Sequence, residues 1–307
     1  MEPFADRLAA AVRRCRNPVL VGLDPRAESL PAGLLADDQR HDPAAVADAF
    51  QRFSCGVIDA VADLVAVVKP QAAFFEQYGP AGMTALARVI AYARQRGLLV
   101  ILDGKRNDIG TTATAYAQAY LGAPPQSPWG ADALTVSPYL GDDSLTPFVE
   151  VAQQRGAGIY VLVKTSNPGG QMLQDLVIAG QPLYRRVGDY VEQLACTTLG
   201  ACGYGAVGAV VGATYPAQAA ELRSALPHTW FLVPGFGAQG GTARDVAPAF
   251  DAQGLGAIVN NSRGIIFAHA APAYRERFGA ARWQEAVAAA TRDMIGQLAA
   301  DTPAGRL

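Results

Sequence analysis

Four charged residues could do chemistry together: Lys69, Asp103, Lys105 and Asp108. Asp103 and Lys105 are two positions apart, so on extended backbone their side chains share a face. Lys69 closes the preceding apolar run, and neighbouring strands of a regular sheet lie about 4.8 Å apart. Asp108 follows in the loop Arg106-Asn107-Asp108-Ile109-Gly110-Thr111-Thr112. The expectation is an alternating Lys–Asp–Lys–Asp array in a confined space. In such an array the carboxylates keep both ammonium groups protonated despite desolvation. Read alone, Asp-x-Lys-x-x-Asp fits a structural ion-pair network equally well.

A second cluster lies late in the chain. Residues 234–241 fit G-x-G-x-x-G at Gly235, Gly237 and Gly240, and Asn260-Asn261-Ser262-Arg263-Gly264 follows the next apolar run. A dinucleotide fold wants this motif near the start of a βαβ unit, with an acidic residue ending the next strand. Here it comes late and the next run ends in Asn260-Asn261. The expectation is therefore a phosphate held against backbone N–H groups. Arg263 would add a bidentate contact, with a rim ion pair as its alternative role.

These residues must be positioned by a repeating scaffold. Eight short apolar runs, at 19–23, 65–69, 98–103, 131–136, 159–163, 207–211, 230–233 and 256–260, alternate with Ala-rich helical segments such as 81–96, 143–155 and 182–198. Their starts lie on average roughly 34 residues apart, which suits one strand, one helix and two loops. The runs are continuous rather than alternating, as strands covered on both faces should be. Gly97 and Gly156 stand where helix C-caps belong. Eight such units close most naturally into a (β/α)8 barrel, an α/β TIM barrel, with an open doubly wound sheet as the rival. No linker divides the chain, so 1–307 reads as one domain. Long connections at 25–43 and 166–181 read as loop insertions, 281–298 as the last helix, and 301–307 as a loose tail. In a barrel the chemistry sits at the strand C-terminal ends, and these ends are polar: Asp24, Lys69, Asp103, Lys164-Thr165-Ser166-Asn167 and Asn260.

The 307 residues are 50% hydrophobic and 17% charged, which gives material for a large core and excludes a disordered chain. A net charge of −2 offers no global attraction to nucleic acid or an anionic membrane. Cys15, Cys55, Cys196 and Cys202 form no C-x-x-C pair and read as reduced, mostly buried thiols. His41, His228 and His269 are far apart and show no ligand spacing, so no metal site is expected. The acidic start and the lack of any stretch approaching about 20 apolar residues favour a cytoplasmic protein without a membrane partner.

The run Leu102-Asp103-Gly104-Lys105-Arg106-Asn107-Asp108-Ile109-Gly110-Thr111-Thr112 resembles the signature of the orotidine 5′-phosphate decarboxylases. The resemblance extends over roughly residues 18–268. It includes Gly22-Leu23-Asp24-Pro25, Thr165-Ser166-Asn167-Pro168, 234–241 and Asn261-Ser262-Arg263-Gly264. The segment Lys69-Pro70-Gln71-Ala72-Ala73-Phe74-Phe75-Glu76 is similar to the longer bacterial, type 2 branch. The resemblance implies decarboxylation of orotidine 5′-monophosphate to uridine 5′-monophosphate, without cofactor or metal, in de novo pyrimidine synthesis. It implies Lys105 as proton donor, Asp103 against the substrate carboxylate, and Lys69 and Asp108 completing the charge array. Asp108, and Thr112 at the pyrimidine, would come from the partner of a homodimer. Asp24 and Lys69 would bind ribose hydroxyls, Ser166 the pyrimidine edge, and Gln239 and Arg263 the phosphate. The rival readings are a metal-dependent lyase of the hexulose-phosphate synthase kind, a Schiff-base aldolase using Lys69, Lys105 or Lys164, and a catalytically silent nucleotide-binding barrel.

Overall fold

The computed structural model of the protein describes residues 1–237 and 240–307. Eight parallel strands close into a barrel: β1 Val19–Leu23, β2 Val67–Pro70, β3 Leu99–Arg106, β4 Ala133–Val136, β5 Gly158–Lys164, β6 Val207–Val211, β7 Phe231–Val233 and β8 Ala257–Asn261. Each pairs with its sequence neighbour, and β8 returns to β1 through Val19↔Val259 and Val21↔Asn261. The apolar runs fall on these strands, and the rival open sheet is excluded by closure.

The strands are apolar on both faces because each face meets a different core. Leu20, Val67, Ile101, Tyr160, Trp230 and Ile258 fill the barrel interior. Val21, Val68, Val100 and Val161 face outward, against helices such as Pro43–Val61 and Gly79–Gln95. Leu183–Cys196 and Trp283–Asp301 belong to the same outer layer, the latter burying Val287, Met294 and Leu298. Gly156 does end the helix Thr146–Arg155 in the left-handed conformation.

One element was not legible as chemistry or repeat: the helix Phe4–Cys15. It buries Phe4, Leu8 and Val12 against the interior residues, with Phe4 edge-on to Tyr160. It thereby floors the end of the barrel where the strands begin. Arg7 and Arg94 clamp the buried Asp132 at 2.7 and 2.9 Å, and Asp132 also accepts from Val100 N at 2.9 Å. Asp6 accepts from the N–H groups of Ala201 and Cys202 at 3.0 and 2.7 Å.

Two expectations are corrected. Residues 301–307 are not a loose tail: Pro303–Arg306 form a 3-10 turn capped by the Thr302 hydroxyl, Ala304 is buried, and Leu307 O accepts from Arg16 Nε at 3.1 Å. The cysteines are free but not mostly buried, since Cys15, Cys55 and Cys202 are half-buried and Cys196 is exposed. The 166–181 insertion is built rather than featureless. It holds a 3-10 turn at Pro168–Gly170, a helical turn at Gln171–Gln174, and a two-stranded ribbon pairing Val177–Ile178 with Gln181–Pro182.

Candidate active site

The centre of the site is a β-bulge in β3. Its pairing with β4 shifts register between Leu102 and Arg106, and Lys105 sits there at φ 45°. A non-glycine residue in the left-handed region costs about 1–3 kcal/mol, which the surrounding structure must offset. The Lys105 N–H donates to Thr135 Oγ1 at 2.9 Å. The Thr135 hydroxyl donates in turn to Asp103 Oδ1 at 2.9 Å. Lys105 Nζ donates to the same Oδ1 at 2.6 Å, and Lys69 Nζ to Oδ2 at 2.8 Å. Asp103 and Lys105 therefore meet as the sequence suggests, but through an irregular strand rather than regular extension. Re-aiming one side chain beside an active site is a common use of a bulge.

Lys69 reaches the group from β2, whose residues pair in step with β3 through Val68↔Val100 and the bridge Gln71↔Asp103. Burial alone would raise the Asp103 carboxyl, but the Lys69 and Lys105 ammonium groups outweigh it and hold the carboxyl well below its ordinary value. Burial would lower Lys69, but Asp103 and then Asp24 outweigh it and hold that ammonium above its ordinary value. Lys69 and Asp103 thus stay charged at neutral pH at the bottom of a pocket. The Lys69 and Asp103 side chains are 4% and 11% exposed, whereas Lys105 is 48% exposed and faces the opening.

A cavity of about 260 Å³ lies above this chain of charges, with Asp24, Gln71, Ser166 and Asn260 in its wall. A smaller cavity of about 90 Å³ adjoins it, lined by Gly235, Phe236, Asn261, Ser262 and Arg263. Asp24, Pro234 and Asn260 border both. Asp24 Oδ1 and Asn260 Oδ1 are buried without a hydrogen-bond partner among the described residues. Buried acceptors of this kind need a donor, and here that donor can be a ligand. Ser166 is placed by close packing: a Cβ at Gly212 would stand 2.7 Å from Ser166 Cα, and Thr214 Oγ1 donates to Ser166 O at 3.2 Å.

The model of the orotidine 5′-phosphate decarboxylase / HUMPS family matches residues 17–276. The chain belongs to this family. It is 59% identical over 300 residues to an orotidine 5′-phosphate decarboxylase of Rhodopirellula baltica, covering 97% of this chain and 99% of that protein. It is 45% identical over 266 residues to one of Deinococcus radiodurans, covering 86% and 89%. The structure of Leishmania donovani OMP decarboxylase superposes with a TM-score of 0.75 at 33% identity, covering 97% of this chain and 98% of that one.

Within this decarboxylase-family barrel, Lys69, Asp103, Lys105, Asp24 and Ser166 surround the main cavity. Arg263 lines the smaller one and makes no ion pair among the described residues. Asp108 and Thr112 do not line the cavity of their own chain. Asp108 Oδ1 accepts from Ile109 N at 2.8 Å, and Thr112 is exposed at the start of the helix Gly110–Tyr120. Gln239 lies outside the described residues.

Lys164 is not in the cavity. A second register shift, between Leu162 and Lys164, turns Leu162 inward and Lys164 outward. Lys164 is fully buried, pairs with Asp175 of the insertion, and holds its Nζ 4.4 Å from the Tyr215 ring centroid. That location does not suit a Schiff-base lysine. Thr135 was missed as a site residue, and Asn260 was noted only as a polar strand end without a role. Their signal was present: a hydroxyl inside the apolar run Ala133–Val136, and an amide at the end of β8.

Proposed function

We propose that the protein decarboxylates orotidine 5′-monophosphate to uridine 5′-monophosphate and carbon dioxide, the last step of de novo pyrimidine synthesis. The observation that carries this reading is the Lys69–Asp103–Lys105 chain of charges beneath a cavity with an adjoining arginine-lined pocket. The high identity to proteins named for that activity supports it.

The bond from the pyrimidine carbon to its carboxylate breaks heterolytically, leaving the electron pair on that carbon. The Lys105 ammonium stabilises the developing charge, donates its proton there, and regains one from solvent. Asp103 lies against the substrate carboxylate. Each tenfold in rate takes about 1.36 kcal/mol, so one ammonium does not supply the whole acceleration. Binding of the remote phosphate, by Arg263 and Gln239, contributes through closure and exclusion of water. Asp24 and Lys69 take the ribose hydroxyls, which would satisfy the unpartnered Asp24 Oδ1. Ser166 takes the pyrimidine edge. Neither cofactor nor metal has a role in this scheme.

The reading includes a cytoplasmic homodimer in which Asp108 and Thr112 enter the partner's cavity. Their position outside their own cavity supports it. So does the exposed Ile109 beside them, an apolar side chain suited to an interface. The −2 net charge and the absence of any helix long and apolar enough to cross a membrane, among the described residues, are compatible with a small nucleotide as the partner.

The test is ultraviolet-monitored turnover of orotidine 5′-monophosphate with and without a chelator. Activity that survives chelation supports the reading. Activity lost to chelation and restored by magnesium supports the metal-dependent lyase that the same family model also covers. Lys105→Ala should abolish turnover while a product analogue still binds, and wild-type-like turnover in that variant would refute the assignment. Arg263→Ala should weaken phosphorylated ligands by about 1.5–3 kcal/mol, the worth of a charged hydrogen bond, and leave nucleosides nearly unaffected. Calorimetry showing equal losses for both would make Arg263 merely structural.

A further inference from the structure

The end of the barrel opposite the catalytic mouth carries a cluster that the decarboxylation does not use. Glu192 and Cys196 stand one helical turn apart on Leu183–Cys196, and His228 lies just before β7. Cys196 Sγ is 3.6 Å from His228 Nδ1 and 3.7 Å from Glu192 Oε1, and Nδ1 is 2.7 Å from Oε1. The residue spacing hid this group, because Cys196 and His228 are 32 positions apart. The sequence reading expected no metal site, and the fold brings these three potential ligand atoms together.

We propose that Glu192, Cys196 and His228 form a zinc site with a fourth position open to water. Zinc–sulfur and zinc–nitrogen bonds of about 2.3 and 2.0–2.1 Å in a tetrahedron put sulfur and nitrogen about 3.5 Å apart. The two sulfur distances already match that figure. The nitrogen–oxygen pair would open from its hydrogen-bonded length to about 3.3 Å.

The carboxylate is oriented in advance. Glu192 Oε2 accepts from Thr229 Oγ1 at 2.7 Å, and Oε1 also accepts from His228 N at 3.0 Å. Outer partners of this kind set ligand geometry in metal sites. Cys196 is exposed and the His228 side chain is 40% exposed, so an ion can enter. A nucleophilic Cys–His–Glu triad is not served, because both contacts fall on Nδ1 and no relay through the ring exists. On binding, the Cys196 thiol proton leaves to solvent, the imidazole proton sits on Nε2, and Nδ1 offers its lone pair.

The experiment uses the full chain, stripped with chelator and desalted, and titrated with cobalt(II) as a spectroscopic probe. One cobalt per chain should give a thiolate-to-cobalt charge-transfer band, and added zinc should abolish it. Cys196→Ser should lose the band, whereas a Cys15→Ser/Cys55→Ser/Cys202→Ser variant should keep it. Thr229→Val should weaken zinc about 10–100-fold. In the wild type, zinc should also slow alkylation of Cys196 by iodoacetamide, read by mass spectrometry. A missing band, a band that persists in Cys196→Ser, or alkylation unchanged by zinc would each overturn the site.

Discussion

Lys105 holds a backbone conformation that a lysine rarely adopts, and Asp103 and Thr135 explain how it is kept. Thr135 takes the N–H that the bulge frees and passes its own hydroxyl proton toward Asp103. Asp103 answers two ammonium groups at once, so it holds the charge array together. Its lowered carboxyl sets a pH dependence. Stabilisation from a depressed carboxylate is complete above the ordinary value of 3.8 and is lost as pH falls through the lowered one. Asp103→Asn should cost about 3 kcal/mol at neutral pH, since it leaves the buried Lys69 without its hydrogen-bonded carboxylate. Urea unfolding at stepped pH should show that gap constant above 3.8 and narrowing below it. A gap that closes well above 3.8 would mean that the carboxylate is not held by these lysines. The charged residues were legible because Asp-x-Lys-x-x-Asp is local. Thr135 was not, because its role depends on a strand 30 residues away.

The strands were readable as elements because burial on both faces leaves continuous apolar runs, and the observed strand ends depart from them by only a few residues. The two bulges were not readable, since register is a relation between strands. At β3 the bulge aims Lys105 into the mouth; at β5 it sends Lys164 away from it. The second case has a mechanical effect. Lys164 pairs with Asp175, and Gln174 bonds the Thr165 N–H and hydroxyl at 3.0 and 2.8 Å. The insertion is thus tied to the segment that carries Ser166. Asp175→Ala should free it, and a loss of about 1.4 kcal/mol in local stability makes opening tenfold more frequent. Limited proteolysis within 166–181 should quicken by that order, and an unchanged cleavage rate would show that the tether contributes nothing. The packed C-terminal turn was missed for a similar reason: Ala304 is held by contacts that a short, Gly- and Pro-containing stretch does not announce.

At the level of the assembled protein, the expected dimer is open to a mixing test. Lys105→Ala and Asp108→Ala chains should each be inactive alone. If Asp108 works across the interface, a mixed dimer has one doubly defective cavity and one intact cavity. An equal mixture that exchanges freely should then recover about a quarter of wild-type activity, because half of its dimers are mixed. No recovery would place Asp108 in its own chain's chemistry, and an Asp108→Ala chain active on its own would place it outside the reaction. The helix Phe4–Cys15 bears on how the site is reached. With Phe4, Tyr160 and Trp230 plugging the lower barrel, the reaction chamber is a blind shaft. Arriving nucleotide, departing nucleotide and escaping gas queue at one aperture, so each catalytic cycle must empty the shaft by the route along which it was filled.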